Sequence, residues 1–330
     1  MKLRKILIIC AFLHFLVFFP ACKNTVSQEK NNDDIQSTEV FQKIAECTTS
    51  VLGNYIDIEG NSAYVSTQNG FMVFDITDPE NPANIGRLDF GSAFEIEVYG
   101  DHAYLQAGSI KIIDISQRGN YRIDNQYGLQ TGYARIKAKN GYLFVSVIDK
   151  GLEILDISDP ASPQKIGQFY EPGSYAESWM GYVKFDIKDN IIYLGEANIG
   201  FKIINISDKQ NPVKISSVPV TSLITDIYIK ENLLFVGTTE ELIIYDISNP
   251  EIPVKISNLT SYNPAQLTAS GNTLIFYDDN KSYSYIAVDI SDPASPQVLG
   301  TYSTYSHDIH YDGTYLFGIL DKFMVLKVNR

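Results

Sequence analysis

An all-β fold, a seven-bladed β-propeller of four-stranded antiparallel blades, follows from three features of this 330-residue chain. An apolar motif ending in Asp-Ile-Ser-Asp-Pro recurs at nearly constant intervals. Each interval holds short β-rich runs separated by tight-turn signals. The strand missing from the last interval is found ahead of the first.

The fullest copy of the motif is Gly151-Leu152-Glu153-Ile154-Leu155-Asp156-Ile157-Ser158-Asp159-Pro160-Ala161-Ser162-Pro163. Aligned on Asp156, the other copies carry Asp75, Asp114, Asn205, Asp246, Asp289 and Lys327, with successive spacings of 39, 42, 49, 41, 43 and 38 residues. A fixed period of about 40 residues marks a repeat architecture, because each unit is too small to bury its apolar face alone.

The third unit shows why each interval holds four strands. Arg135–Ala138 and Tyr142–Val147 flank the turn residues Asn140-Gly141, Leu152–Ile157 follows a second turn at Asp149-Lys150-Gly151, and Pro163–Phe169 is the fourth strand. Asn-Gly between β-rich runs is a strong hairpin signal. Equivalent pairs stand at Gly60-Asn61, Gly100-Asp101, Asp189-Asn190, Gly271-Asn272 and Asp312-Gly313. Four strands per repeat is the propeller pattern. The seventh unit offers only three, at His307–Tyr311, Tyr315–Leu320 and Phe323–Val328. Phe41-Gln42-Lys43-Ile44-Ala45 mirrors Pro163-Gln164-Lys165-Ile166-Gly167, the fourth strand of unit three. The N-terminal strand is therefore expected to complete the last blade and remove its open edge.

Apolar strands ending in Asp-Ile-Ser-Asp-Pro, as at Leu155–Pro160 and Val288–Pro293, resemble those of the LVIVD-repeat proteins of bacteria and archaea. The resemblance covers 41–330 and implies a β-propeller, usually exported and mostly without assigned activity. Unit two departs from it, with Gln117-Arg118-Gly119-Asn120 in place of the Asp-Pro turn, and unit four has Asn205 and lacks the first Pro.

The first 39 residues read as an address and a tether. Lys2, Arg4 and Lys5 form a positive n-region before the apolar run Ile6–Phe19, which is interrupted by His14 and is short for a membrane span. The following Phe19-Pro20-Ala21-Cys22 resembles a bacterial lipobox, with Phe19 where Leu is usual. The resemblance implies cleavage after Ala21 and a lipid on Cys22, so that 1–21 is a signal peptide of lipoprotein type. Residues 22–39 are polar and read as a flexible tether, and 40–330 as the propeller. The expected location is the cell envelope, at the outer membrane or cell surface; plain secretion is the alternative. Cys47 then stands as one thiol, which reads as a small apolar strand residue with no partner for an internal disulfide.

Loss of Lys2, Arg4 and Lys5 with the leader takes the formal charge from −13 to −16. Such a surface disfavours nucleic acid as a partner. The loops joining blades should gather on one face beside the ring opening. They hold Tyr133, Tyr175, Trp179, Tyr262, Tyr305 and His307, with Phe94, Tyr127, Tyr170 and Tyr302 nearby. The longest, Tyr170–Gly181, contains the only Trp and accounts for the 49-residue spacing. Inserted aromatic loops on a repeat scaffold point to a binding face for a protein or glycan; the bland alternative is that these rings cap blade ends.

A second candidate is the channel mouth, where Tyr55, Glu95, Arg135, Lys184, Asp226, Gln266 and Asp308 open the inner strands. They would form either a polar ligand pocket or a solvated wall of ion pairs. The recurrent Asp residues suggest two jobs, calcium ligation or capping of the turn that follows. Recurrence in nearly every unit favours capping, and the expectation is no cofactor.

Enzyme fingerprints such as His-Glu-x-x-His, Gly-x-Ser-x-Gly and the P-loop are missing from the sequence. The leading reading is an envelope-anchored, non-catalytic binding scaffold. A hydrolase or lyase acting on polysaccharide through Glu95, Asp226 and Asp308, with Arg135 and Lys184 as cations, is the second. A purely structural surface protein is the third.

Overall fold

The computed structural model describes residues 40–129, 134–147, 150–160, 162–171, 184–196, 199–280 and 283–329. They form seven four-stranded antiparallel sheets arranged as a propeller, and no helix occurs among them. Blades one to six occupy 53–89, 96–127, 134–169, 185–219, 224–260 and 264–303. Each runs from its inner strand to its outer strand in chain order. In blade seven, Asp308–Tyr311, Tyr315–Ile319 and Lys322–Val328 are joined by Phe41–Thr48, which pairs antiparallel with Lys322–Val328 from Phe41↔Val328 to Thr48↔Lys322. The predicted closure by the N-terminal strand is the one observed.

The middle strands read as unbroken apolar runs because both their faces are covered by neighbouring blades. Leu143–Val147 and Leu152–Leu155 are buried at every position. The outer strands alternate or face water, as in Val213–Pro219, where no position is fully buried. The apolar residues fall into seven clusters, each shared by two adjacent blades. At the closing junction Phe74 of blade one stacks on Phe323 of blade seven, with ring centroids 4.4 Å apart and planes 6° apart.

The repeated motif has a local cause. The inner hairpin of six blades turns through a left-handed residue: Gly60 (φ 57°), Gly100 (60°), Asn140 (53°), Asp189 (51°), Glu231 (55°) and Gly271 (54°). Glycine, asparagine and aspartate take this conformation readily, whereas Glu231 does so at a cost of about 1 kcal/mol. The next residue's carbonyl accepts the N–H of the motif isoleucine, for example Asn61 from Ile76 at 2.9 Å, Gly141 from Ile157 at 2.9 Å and Asn232 from Ile247 at 2.8 Å. That isoleucine is buried in every copy. Beside it the motif Asp accepts the N–H two residues on: Asp75 from Thr77 (2.9 Å), Asp114 from Ser116 (2.9 Å), Asp156 from Ser158 (2.8 Å), Asp246 from Ser248 (2.8 Å) and Asp289 from Ser291 (2.8 Å). In unit four Asn205 does the same for Ser207 at 2.8 Å. Unit two, without its prolines, still closes its turn through Asn120 N–H to the Gln117 carbonyl at 2.9 Å.

One expectation is corrected. Cys47 is disulfide-bonded, and its partner lies outside the described residues.

Candidate functional site: the channel wall and the loop face

The inner strand is the edge of each sheet, so its channel-side N–H groups need acceptors from elsewhere. Neighbouring blades supply them. Asp57 accepts the Val98 N–H (2.7 Å), Glu97 that of Ala138 (2.8 Å), Asp186 that of Ile229 (2.7 Å) and Asp226 that of Leu267 (2.8 Å). Thr268 accepts from Tyr311 (3.1 Å) and Asp308 from Ile56 (3.0 Å). The remaining junction, between blades three and four, is bridged by Lys139 Nζ donating to the Ile187 carbonyl at 3.0 Å and by the Lys137–Asp186 ion pair at 3.1 Å. A polar side chain thus joins every blade to the next around the channel.

The predicted mouth residues do come together. Arg135 is their hub: Nη1 lies 2.5 Å from Glu95, Nη2 lies 3.5 Å from Asp226, and the guanidinium sits over the Tyr55 ring, 5.5 Å from its centroid. Burial works against the Arg135 charge, but Glu95 together with Tyr55 and Asp226 outweighs it and holds the guanidinium charged. Lys184 is buried beside the same group, and burial pushes its ammonium below the usual lysine range. Burial raises the Asp308 carboxyl to about 7.

A second tier lies two residues further along the same strand faces: Asp57, Glu97, Lys137, Asp186 and His310. The sequence reading did not single it out, although the two-residue period of a strand places it on the channel wall. Burial, followed by the neighbouring Asp57 charge, raises Glu97 to about 8. Burial also raises Asp57 and lowers His310. Six channel carboxyls therefore face three lysine or arginine side chains, and burial holds the deepest acids toward their neutral form. The cavity among Tyr55, Asp57, Glu95, Glu97, Arg135 and Asp308 measures about 140 Å³, below the several hundred Å³ of a typical ligand pocket.

The loop face is more varied. Tyr305 is 65% exposed and lies over Tyr283, itself 39% exposed, with ring centroids 4.7 Å apart. Tyr262 instead packs edge-on against Phe276 (centroids 5.6 Å, planes 73°) at the core between blades five and six. His307 Nδ1 meets the Gly53 carbonyl at 2.8 Å, tying blade seven to blade one. Tyr127 belongs to an outer strand and donates its hydroxyl to Glu153 at 3.1 Å. Tyr262 thus packs into the framework, whereas His307 stays exposed while one ring nitrogen is tied to it. Tyr133, Tyr175, Trp179 and the lipidation candidate Cys22 lie outside the described residues.

One oxygen of each motif Asp accepts from the turn serine or threonine two residues on, and bonds from the serine's hydroxyl and N–H lower the Asp114, Asp156, Asp246 and Asp289 carboxyls below the usual aspartate range. Among the described residues no group of three or more His, Cys, Asp or Glu side chains is placed to hold a metal ion.

A family model described as the LVIVD repeat matches residues 50–89, 90–122, 131–170, 224–261 and 281–304. No curated protein matches the chain in sequence. Among solved structures, the β-propeller domain of Myceliophteria thermophila Cps50 (Swd1) aligns over 86% of this chain and 100% of its own, with a TM-score of 0.69 at 11% identity. A functionally unknown protein from Desulfotomaculum acetoxidans DSM 771 aligns over 77% of this chain and 86% of its own (TM-score 0.64, 11% identity). The computationally designed Ika8 protein aligns over 86% and 98% (TM-score 0.60, 11% identity). At such identity the likeness speaks for the fold alone.

Proposed function

Because the chain belongs to the LVIVD-repeat family, we propose that it is a non-catalytic binding scaffold of the cell envelope that presents its loop face to a protein or glycan partner. The observation that carries this reading is the exposed Tyr305–Tyr283 pair on a body whose other large rings are mostly buried. Exposed tyrosines offer large contact area at low entropic cost, and a rigid propeller holds them in place.

The channel acids support the same choice. A hydrolase needs a carboxyl free to exchange a proton with substrate, at a site substrate can enter. Asp226 and Asp308 are each bonded to a neighbouring backbone N–H, Glu95 is held by Arg135, and the cavity they share is small.

The test is capture from detergent-solubilised envelope by the full chain, compared with a Tyr283→Ala, Tyr305→Ala double variant and with Trp179→Ala. A protein or glycan that is retained by the wild type, lost with the double variant and rebound after purification supports the scaffold. Retention unchanged in all variants, or turnover of the captured polymer, overturns it.

A further inference from the structure

The chain holds three cysteines, Cys10, Cys22 and Cys47. Cys47 is disulfide-bonded, so its partner within the chain is Cys10 or Cys22. Cys10 sits inside the apolar run Ile6–Phe19, which cleavage after Ala21 removes. Once the leader is gone, Cys22 is the one cysteine left to hold Cys47.

Register within the blades sets Cys47 apart independently. It pairs with Phe323 across the two strands that close the ring. At the equivalent place on the outer strand the other six blades carry Leu88, Tyr127, Phe169, Val218, Leu259 and Tyr302. A larger side chain stands there six times and a cysteine once, in the one outer strand that the N-terminal segment runs into. Cys47 is buried in the core between blades seven and one, with Phe74, Phe317 and Phe323. The span is within reach. From Phe41 to Cys47 is six strand steps, about 20 Å, and the 18 residues 23–40 cover about 23 Å as a flexible coil and up to about 60 Å when extended. Cys22 can therefore fold back to Cys47.

We infer that the mature chain carries a Cys22–Cys47 disulfide, which staples its N-terminus to the strand that closes the ring and excludes a lipid from Cys22. Forming the S–S bond takes two protons and two electrons from the two thiols, and a disulfide-bearing thiol oxidant of the exported compartment accepts them. A lipid thioether needs the same Cys22 sulfur, so one molecule holds the staple or the anchor, never both. Any hold on the envelope then comes from contacts of the propeller itself. The inference rests on export of the chain and not on what the loop face binds.

The test is mass spectrometry of the full chain recovered from soluble and membrane fractions, with free thiols alkylated by iodoacetamide and the digest made without reductant. A joined pair of peptides holding Cys22 and Cys47, lighter by two hydrogens than the two thiol forms together and separated by dithiothreitol, is expected. A lipid-modified Cys22 with alkylated Cys47, alkylation of both, or Cys47 joined to Cys10 with the leader retained overturns the inference. Dithiothreitol should lower the melting temperature by about 3–6 °C, since closure of the 26-residue loop from Cys22 to Cys47 is lost. Cys22→Ser should melt at that lower value with or without reductant. A wild type unmoved by dithiothreitol, or a Cys22→Ser variant that still responds to it, overturns the staple. If the linkage is found while nothing is captured through the loop face, this inference stands and the scaffold reading falls.

Discussion

Two rings of acidic residues run around this molecule, and they obey different rules. The outer ring, at the motif turns, repeats the same chemistry blade after blade: Asp75, Asp114, Asp156, Asp246 and Asp289 each accept a local N–H within their own turn. The inner ring draws on a mixed set of residues, and its carboxylates reach across to the next blade. The outer ring solves a problem that each unit has by itself. The inner ring solves the joint problem of fitting seven units into a closed circle, with aspartate at four junctions and glutamate, threonine and lysine at the others. Repetition here marks self-sufficient local structure, and departure from repetition marks what the assembled ring needs.

The sharpest way to break this comparison is to remove the hub of the inner ring. Arg135→Met leaves Glu95 and Asp226 without the guanidinium between them. Unpairing buried charges in this way should destabilise the fold by about 3 kcal/mol or more in urea unfolding. A loss under about 1 kcal/mol would mean that water in the channel serves the acids as well as arginine does.

The rings should also titrate in opposite directions. Glu97 and Asp308 sit in the folded protein at about 8 and about 7, above their unfolded values near 4.5 and 3.8, so the folded state binds the extra protons. Their contribution to stability is present at lower pH and is lost as pH rises through the folded values. His310, lowered by burial, works the other way below about pH 6.5, which leaves about pH 6.5–8 as the clean window. Melting temperature should fall across it. Glu97→Gln, which keeps an oxygen for the Ala138 N–H, should flatten the slope. The motif Asp residues are lowered, so their contribution holds above the unfolded value and fades only below about pH 4. A melting temperature that rises between about pH 6.5 and 8 would remove the neutral acids from the inner ring.

A smaller effect belongs to one turn of the outer ring. Asp156→Ala removes the acceptor for the Ser158 N–H and should cost about 1 kcal/mol. Its neighbours keep their own caps, so Asp156→Ala combined with Asp289→Ala should be additive within about 0.5 kcal/mol. Strong coupling between them would show that the turns are not independent.

These contrasts explain what the sequence made legible. The outer ring, the inner hairpin turns and the closing strand at Phe41–Thr48 were readable because each is a local pattern that recurs. The first tier of the channel was readable by its place at the start of each inner strand. The second tier mixes aspartate, glutamate, lysine and histidine; only the strand period, two on from Tyr55, Glu95, Arg135, Lys184 and Asp308, locates it. Tyr262 is named for its loop, but whether a loop side chain turns inward depends on contacts between blades, as with Phe276.

The smallest expected effect decides the chemistry of the outer ring. Blade four already carries the neutral Asn205, whose Oδ1 accepts the Ser207 N–H at the same 2.8 Å that Asp156 offers Ser158. If the position needs only an acceptor, Asp156→Asn should change stability by no more than about 0.5 kcal/mol, since the turn bond survives and only an exposed charge is lost. Calcium should then leave the melting temperature of both proteins unchanged. If the ring instead binds calcium through its carboxylates, the ion should raise the wild-type melting temperature by mass action and the substitution should diminish that rise. The asparagine in blade four is the reason to expect the first result, because a ligand ring that depended on charge would be broken there already.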